Sequence, residues 1–173
     1  AATGAADGVN LDTDGSTHAF RSLDVTASNG AGLTLIGNGA VNVAGTTNAL
    51  TATGGPALHV TGASLGSATF ASVVSSGSAA GGILLDGNAG TVAITQANVA
   101  TTGGVGIRAV GGTLDIAGGT VDADGAAALD VRGATIDITL ASLTSTDSAD
   151  RGIFLDAIGG SLTITGATTV TGA

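Results

Sequence analysis

Asp115 and Asp137 stand 22 residues apart in near-identical phrases, Thr-Leu-Asp-Ile and Thr-Ile-Asp-Ile. Brought to within about 5 Å, two such carboxylates either share a cation, raise one another's pKa, or flank a glycosidic bond at the ~5–5.5 Å of a retaining hydrolase. Two further phrases, Asp12-x-Asp14-Gly and Asp122-x-Asp124-Gly, open like calcium loops. An EF-hand also needs a carboxylate at its twelfth position, usually Glu, and all 13 acidic residues here are Asp. Asp-Gly is in any case ordinary turn chemistry. His18 and His59 are isolated, no Ser/His/Asp arrangement is present, and all four basic residues are Arg, so a lyase would find no lysine base. Asp115 and Asp137 are read as a solvated pair, with Ca²⁺ the one cofactor to consider and no catalytic residue assigned.

Whether the two aspartates meet depends on the elements that carry them, and those elements repeat. An apolar–any–apolar triplet near glycine returns seven times: Val9/Leu11, Leu33/Leu35, Leu58/Val60, Ile83/Leu85, Ile107/Ala109, Leu129/Val131 and Ile153/Leu155. A second phrase follows each corner, with Val41/Val43, Ala68/Phe70, Val92/Ile94, Leu114/Ile116, Ile136/Ile138 and Leu162/Ile164. A third is fainter: Leu50, Val73 or Val74, Val99, Val121, Leu143, and Thr169 or Val170. Period-2 alternation in stretches this short marks strands, and nothing shows the 3.6-residue period of a helix. Strands of three or four residues become stable by stacking on their copies. The expected fold is therefore all-β, a single-stranded parallel β-helix (β-solenoid) of about seven coils of 22–26 residues with three short strands each. Seven coils at ~4.8 Å make a rod of about 34 Å. Residues 1–173 form one domain, in which 1–29 are least regular because Phe20, Leu23 and Val25 miss the second and third phrases.

Composition agrees with a thin core. Of 173 residues 43% are hydrophobic, yet three Phe are the only aromatic residues and there is no Met; the 31 glycines come without a collagen period. A formal net charge of −9 disfavours nucleic acid and anionic membranes as partners. No apolar run reaches the ~18 residues of a membrane span. The absence of cysteine excludes disulfides and thiolate metal sites. The chain starts at Ala rather than Met, and the expectation is a mature or excised piece of a longer repeat protein.

The phrases GGILLDGNAGTVAITQANVATTG and RGIFLDAIGGSLTITGATTVTG give residues 8–173 a repeat style that resembles the right-handed parallel β-helix of secreted bacterial surface proteins, including autotransporter passengers and filamentous-haemagglutinin-like adhesins. The resemblance implies a passive, non-enzymatic stalk or adhesive shaft, secreted or displayed on the cell surface. Its partners would be further coils of the same polypeptide, identical subunits stacked end to end into a filament, or glycans of a host or cell surface.

Stacking also turns outward residues into columns. Arg108 next to Asp130, and Arg132 next to Asp156, are expected to form ion pairs between coils. Leu84 and Phe154 point outward as contact candidates. Thr91, Thr95, Thr113, Thr135, Thr139, Thr163 and Thr165 form a hydroxyl face on the second side. That pattern suits β-branched strand residues, or binding to ice or crystalline polysaccharide. A polysaccharide-acting enzyme is the rival class, and it requires Asp115 and Asp137 to lie in a groove beside a basic or aromatic group.

Overall fold

In a parallel ladder a strand of four residues gains partners above and below, and in the computed structural model every repeat has become one turn of such a ladder. The structure describes residues 7–13, 15–37 and 39–172. Coil one holds β1 (Val9–Thr13), β2 (Thr17–Phe20) and β3 (Asp24–Ser28); coil two holds β4 (Leu33–Gly37), β5 (Ala40–Val43) and β6 (Ala49–Thr53). Coil three holds β7 (Leu58–Thr61) and β8 (Ser64–Ser78), and coil four β9 (Ile83–Asp86) and β10 (Thr91–Thr102). Coil five follows with β11 (Ile107–Val110), β12 (Thr113–Ile116) and β13 (Gly119–Asp124). Coil six comprises β14 (Leu129–Arg132), β15 (Thr135–Leu140) and β16 (Ser142–Ser148), and coil seven β17 (Ile153–Asp156), β18 (Gly159–Ile164) and β19 (Thr168–Gly172). The chain is an all-β parallel solenoid of about seven turns, with no helix among the described residues.

The first side is a seven-stranded parallel sheet, β1-β4-β7-β9-β11-β14-β17. Its register runs without a break from Val9 through Leu33, Leu58, Ile83, Ile107 and Leu129 to Ile153. The second and third sides are not separate sheets. In coils three and four the chain passes from one to the other as a single strand, β8 or β10, and the two sides join in one twelve-stranded sheet. The three-strand coil therefore holds for the other five turns. Phe70, fully buried at the bend of β8 and stacked on Ile94, is the largest side chain of the core.

Three details of register differ from the repeat as read in the sequence. First, a bulge at Gly66 sets Val41 on Leu65 and Val43 on Ala68, where the phrase order pairs Val41 with Ala68; the Asn42 side-chain oxygen takes up the freed Ser67 N–H at 3.2 Å. Secondly, β18 slips by two residues, so that Ile136 lies over Gly160 and Ile138 over Leu162. Gly160 has φ +91, and a Cβ there would run into the Ile136 carbonyl, so only glycine seats this rung. Thirdly, Val73 rather than Val74 faces inward, above Ala97, and Leu143 rests on Thr168, leaving Val170 on Ser145. Phe20 and Val25 of the first coil pair with Val43 and Leu50.

Corners are laddered as well as sides. Gly8, Gly32, Ala57, Gly82, Gly106 and Ala128 each donate a backbone N–H to the matching turn of the following coil at 2.7–3.0 Å. Inward hydroxyls satisfy carbonyls in these turns, as Thr101 does for Gly104 at 2.6 Å and Ser148 for Arg151 at 2.7 Å. Two buried asparagines close other corners. Asn48, 1% exposed, accepts from Leu23 N and donates to the carbonyls of Ala44, Gly45 and Thr69, tying three coils together; Asn88 accepts from Leu65 N. Buried amides of this kind persist because every polar atom has a partner.

Candidate functional site

Two outer regions gather the polar side chains. The first is on side two, where β12 and β15 pair in register and set Asp115 directly beside Asp137. The column above them is Thr69 and Ala93, and Ser161 stands below. Because Ala93 and Ala117 are short, the surface dips into an open groove of about 360 Å³, lined also by Thr69, Thr95 and Thr139. Asp115 is half-buried and has no hydrogen-bond partner among the described residues, while Asp137 is exposed and accepts from Ser161 Oγ at 2.8 Å.

The groove carries two carboxylates and several hydroxyls, and its lining contains neither a basic nor an aromatic side chain. Such a wall accepts hydrogen bonds from a hydroxylated ligand and offers no guanidinium for an oxyanion. Nor do the described residues bring three or more His, Asp, Glu or Cys together as a cation cage. Of the two Asp-x-Asp-Gly phrases, Asp14 lies outside the described residues. Asp124 is engaged by Thr146 Oγ1 at 3.1 Å across the coil interface.

The threonine face is partly as expected. Ser67, Thr91, Thr113 and Thr135 stack in one column. The slip in coil seven then brings Gly159 beneath Thr135, Ser161 beneath Asp137 and Thr163 beneath Thr139, two residues from the arrangement inferred from the repeat. Thr165 lies past the strand and donates to the Leu140 carbonyl at 3.2 Å. Side three carries a second set of hydroxyl columns, Thr26 on Thr51, Thr120 on Ser142, and Ser28–Thr53–Ser76. It went unread because the apolar phrase that would have located it is the faintest of the three.

The second region is on side one of coils four to seven. Here the ion pairs follow the columns only in part. Arg132 turns back along its own strand and clamps Asp130 with two bonds, Nε–Oδ1 at 2.7 Å and Nη2–Oδ2 at 3.0 Å. Residues i and i+2 of a strand face the same way, which is what makes this fork reachable. Among the described residues no ion pair joins Arg132 to Asp156. Arg108 approaches Asp86 of the preceding coil at 2.8 Å and Asp130 only at 4.0 Å. Asp130 is 7% exposed, a nearly buried charge, and its hydrogen bond and charge raise the pKa of Arg132.

Phe154 stacks beneath this cluster. The guanidinium of Arg132 lies 4.8 Å from its ring centroid and that of Arg151 4.3 Å, so the ring is half-buried under cations rather than displayed as a contact. Leu84 is likewise half-buried, leaning over Gly81. Among outward apolar side chains, Ile36 is exposed, at 43%. Among the described residues the side chain of His59 bonds to Thr61, and His18 faces inward above Val41.

Fold and site together define a repeat protein of the parallel β-solenoid class with an acidic, hydroxyl-rich exterior. Beyond that class, comparison with protein-family models, with curated proteins and with solved structures finds no match.

Proposed function

We propose that the chain is a shaft segment, structural or adhesive, of a secreted or surface-displayed bacterial protein. The observation that carries this reading is the unbroken register of side one through all seven coils. Ladders on three sides join each coil to the next, so a pull along the axis loads many backbone hydrogen bonds together. The negative charge keeps neighbouring rods apart, and the Asp115/Asp137 groove offers a hydroxyl-rich glycan its place of contact. At coil seven the inward positions Leu155 and Val170 are 38% and 49% exposed; another coil, from the same polypeptide or a second copy, would bury them and pair the strand edges.

Labelling of intact producing cells with an antibody against this chain tests the proposal, alongside sedimentation of the purified chain. Surface labelling, and rods that lengthen with concentration, are the expected results. A signal that appears only after lysis would rule out the shaft reading.

A further inference from the structure

We infer that Asn29 is a site of spontaneous covalent modification, conversion through a cyclic imide to aspartate or isoaspartate with water as the only co-reactant. The deprotonated amide nitrogen of Gly30 attacks Asn29 Cγ. As the N–Cγ bond forms, the Cγ–Nδ2 bond breaks and the side-chain nitrogen, taking up a proton, leaves as ammonia. Water then opens the ring at either carbonyl. Attack at one restores the normal chain as aspartate, and attack at the other routes the main chain through the side-chain carboxyl. The reaction is favoured by proximity, because nucleophile and carbonyl carbon belong to adjacent residues.

The fold singles out this position. Of the described asparagines, Asn10 bonds Asp7, Asn42 takes the Ser67 amide, Asn48 and Asn88 are buried in networks, and Asn98 accepts from Thr120. The Asn29 side chain alone has no hydrogen-bond partner among the described residues. It alone of these is also followed by glycine, whereas the others precede Leu, Val or Ala. A side chain on the following residue hinders its nitrogen; Gly30 has none, and its N–H donates to no described acceptor. Asn29 is exposed, at φ 63, in the corner between β3 and β4, anchored on one side by its own N–H to Thr53 O at 2.6 Å. Closure requires rotation about its Cα–C and Cα–Cβ bonds, which brings the Gly30 nitrogen to Cγ.

The corner would register the change. Asn29 Cα stacks on Gly54, where a Cβ would come within 3.3 Å, and two residues on, the Ala31 amide is held by the Asp7 carboxylate at 2.9 Å. An extra main-chain methylene breaks that vertical match, and a new carboxylate adds to a chain already at −9. Coil one would loosen from coil two.

Incubating the full folded chain at mildly alkaline pH, followed by intact mass measurement and peptide mapping that distinguishes isoaspartate, tests the inference. A mass gain equal to exchanging –NH₂ for –OH should accumulate, map to residue 29, quicken with rising pH and vanish in Asn29→Gly, a substitution suited to the left-handed backbone. The inference fails if the gain maps only to Asn38, which also precedes glycine and lies outside the described residues, or to the hydrogen-bonded asparagines. It fails equally if Asn29→Gly gains mass undiminished.

Discussion

Asp130 shows how little of a side chain's environment its own column discloses. The carboxylate is nearly buried on an outer face, held by the fork of Arg132 and approached by Arg108, while Phe154 supports the fork from below. Removing Arg132 strands that charge, with Arg108 too distant to replace a two-bond clamp. Because Arg132 is itself about half exposed, the loss falls below that of a fully buried pair. Arg132→Ala should lower the stability to unfolding. Denaturant unfolding of Arg132→Ala, Asp130→Leu and the double variant checks this: the double variant should recover part of the loss, and simple additivity would show the pair to be uncoupled.

At the scale of the element, glycine decides where strands start. Gly119 opens β13 at an inward position beneath Ala97 with φ +127, and a Cβ there would collide with the Ala97 carbonyl. Gly119→Ala combines that collision with a backbone region that L-residues avoid, and should destabilise the chain by more than about 1 kcal/mol. A lowered unfolding midpoint with unchanged slope in urea is the expected signature. Equal midpoints would mean that the corner re-forms around the methyl group. Gly160 acts alike in β18, and its slip moved Ser161 onto Asp137.

For the whole molecule, stability should be graded along the axis. Each coil contacts only its neighbours, so the middle coils have two interfaces and the end coils one among the described residues. Coils three and four add the continuous strands β8 and β10 and the buried Phe70, whereas Ile153, Leu162 and Ile164 of coil seven are only partly buried. Amide hydrogen exchange should therefore be slowest in β8, β10 and β12 and fastest in β1 and β17–β19. Uniform protection from end to end would instead indicate a single cooperative unit.

The coil count, the side-one register and the pairing of Asp115 with Asp137 were legible in the sequence, because they depend only on period-2 alternation and a repeat length the backbone ladder must honour. Arg132 choosing Asp130 over Asp156, the bulge at Gly66, the two-residue slip at Gly160, the merging of two sides into one sheet and the groove over Ala93 and Ala117 were not. Those depend on which rotamer reaches a partner, where a missing Cβ lets backbones close up, and how short side chains lie across adjoining coils. Alternation says which way a residue points, and three-dimensional packing alone decides what it meets there.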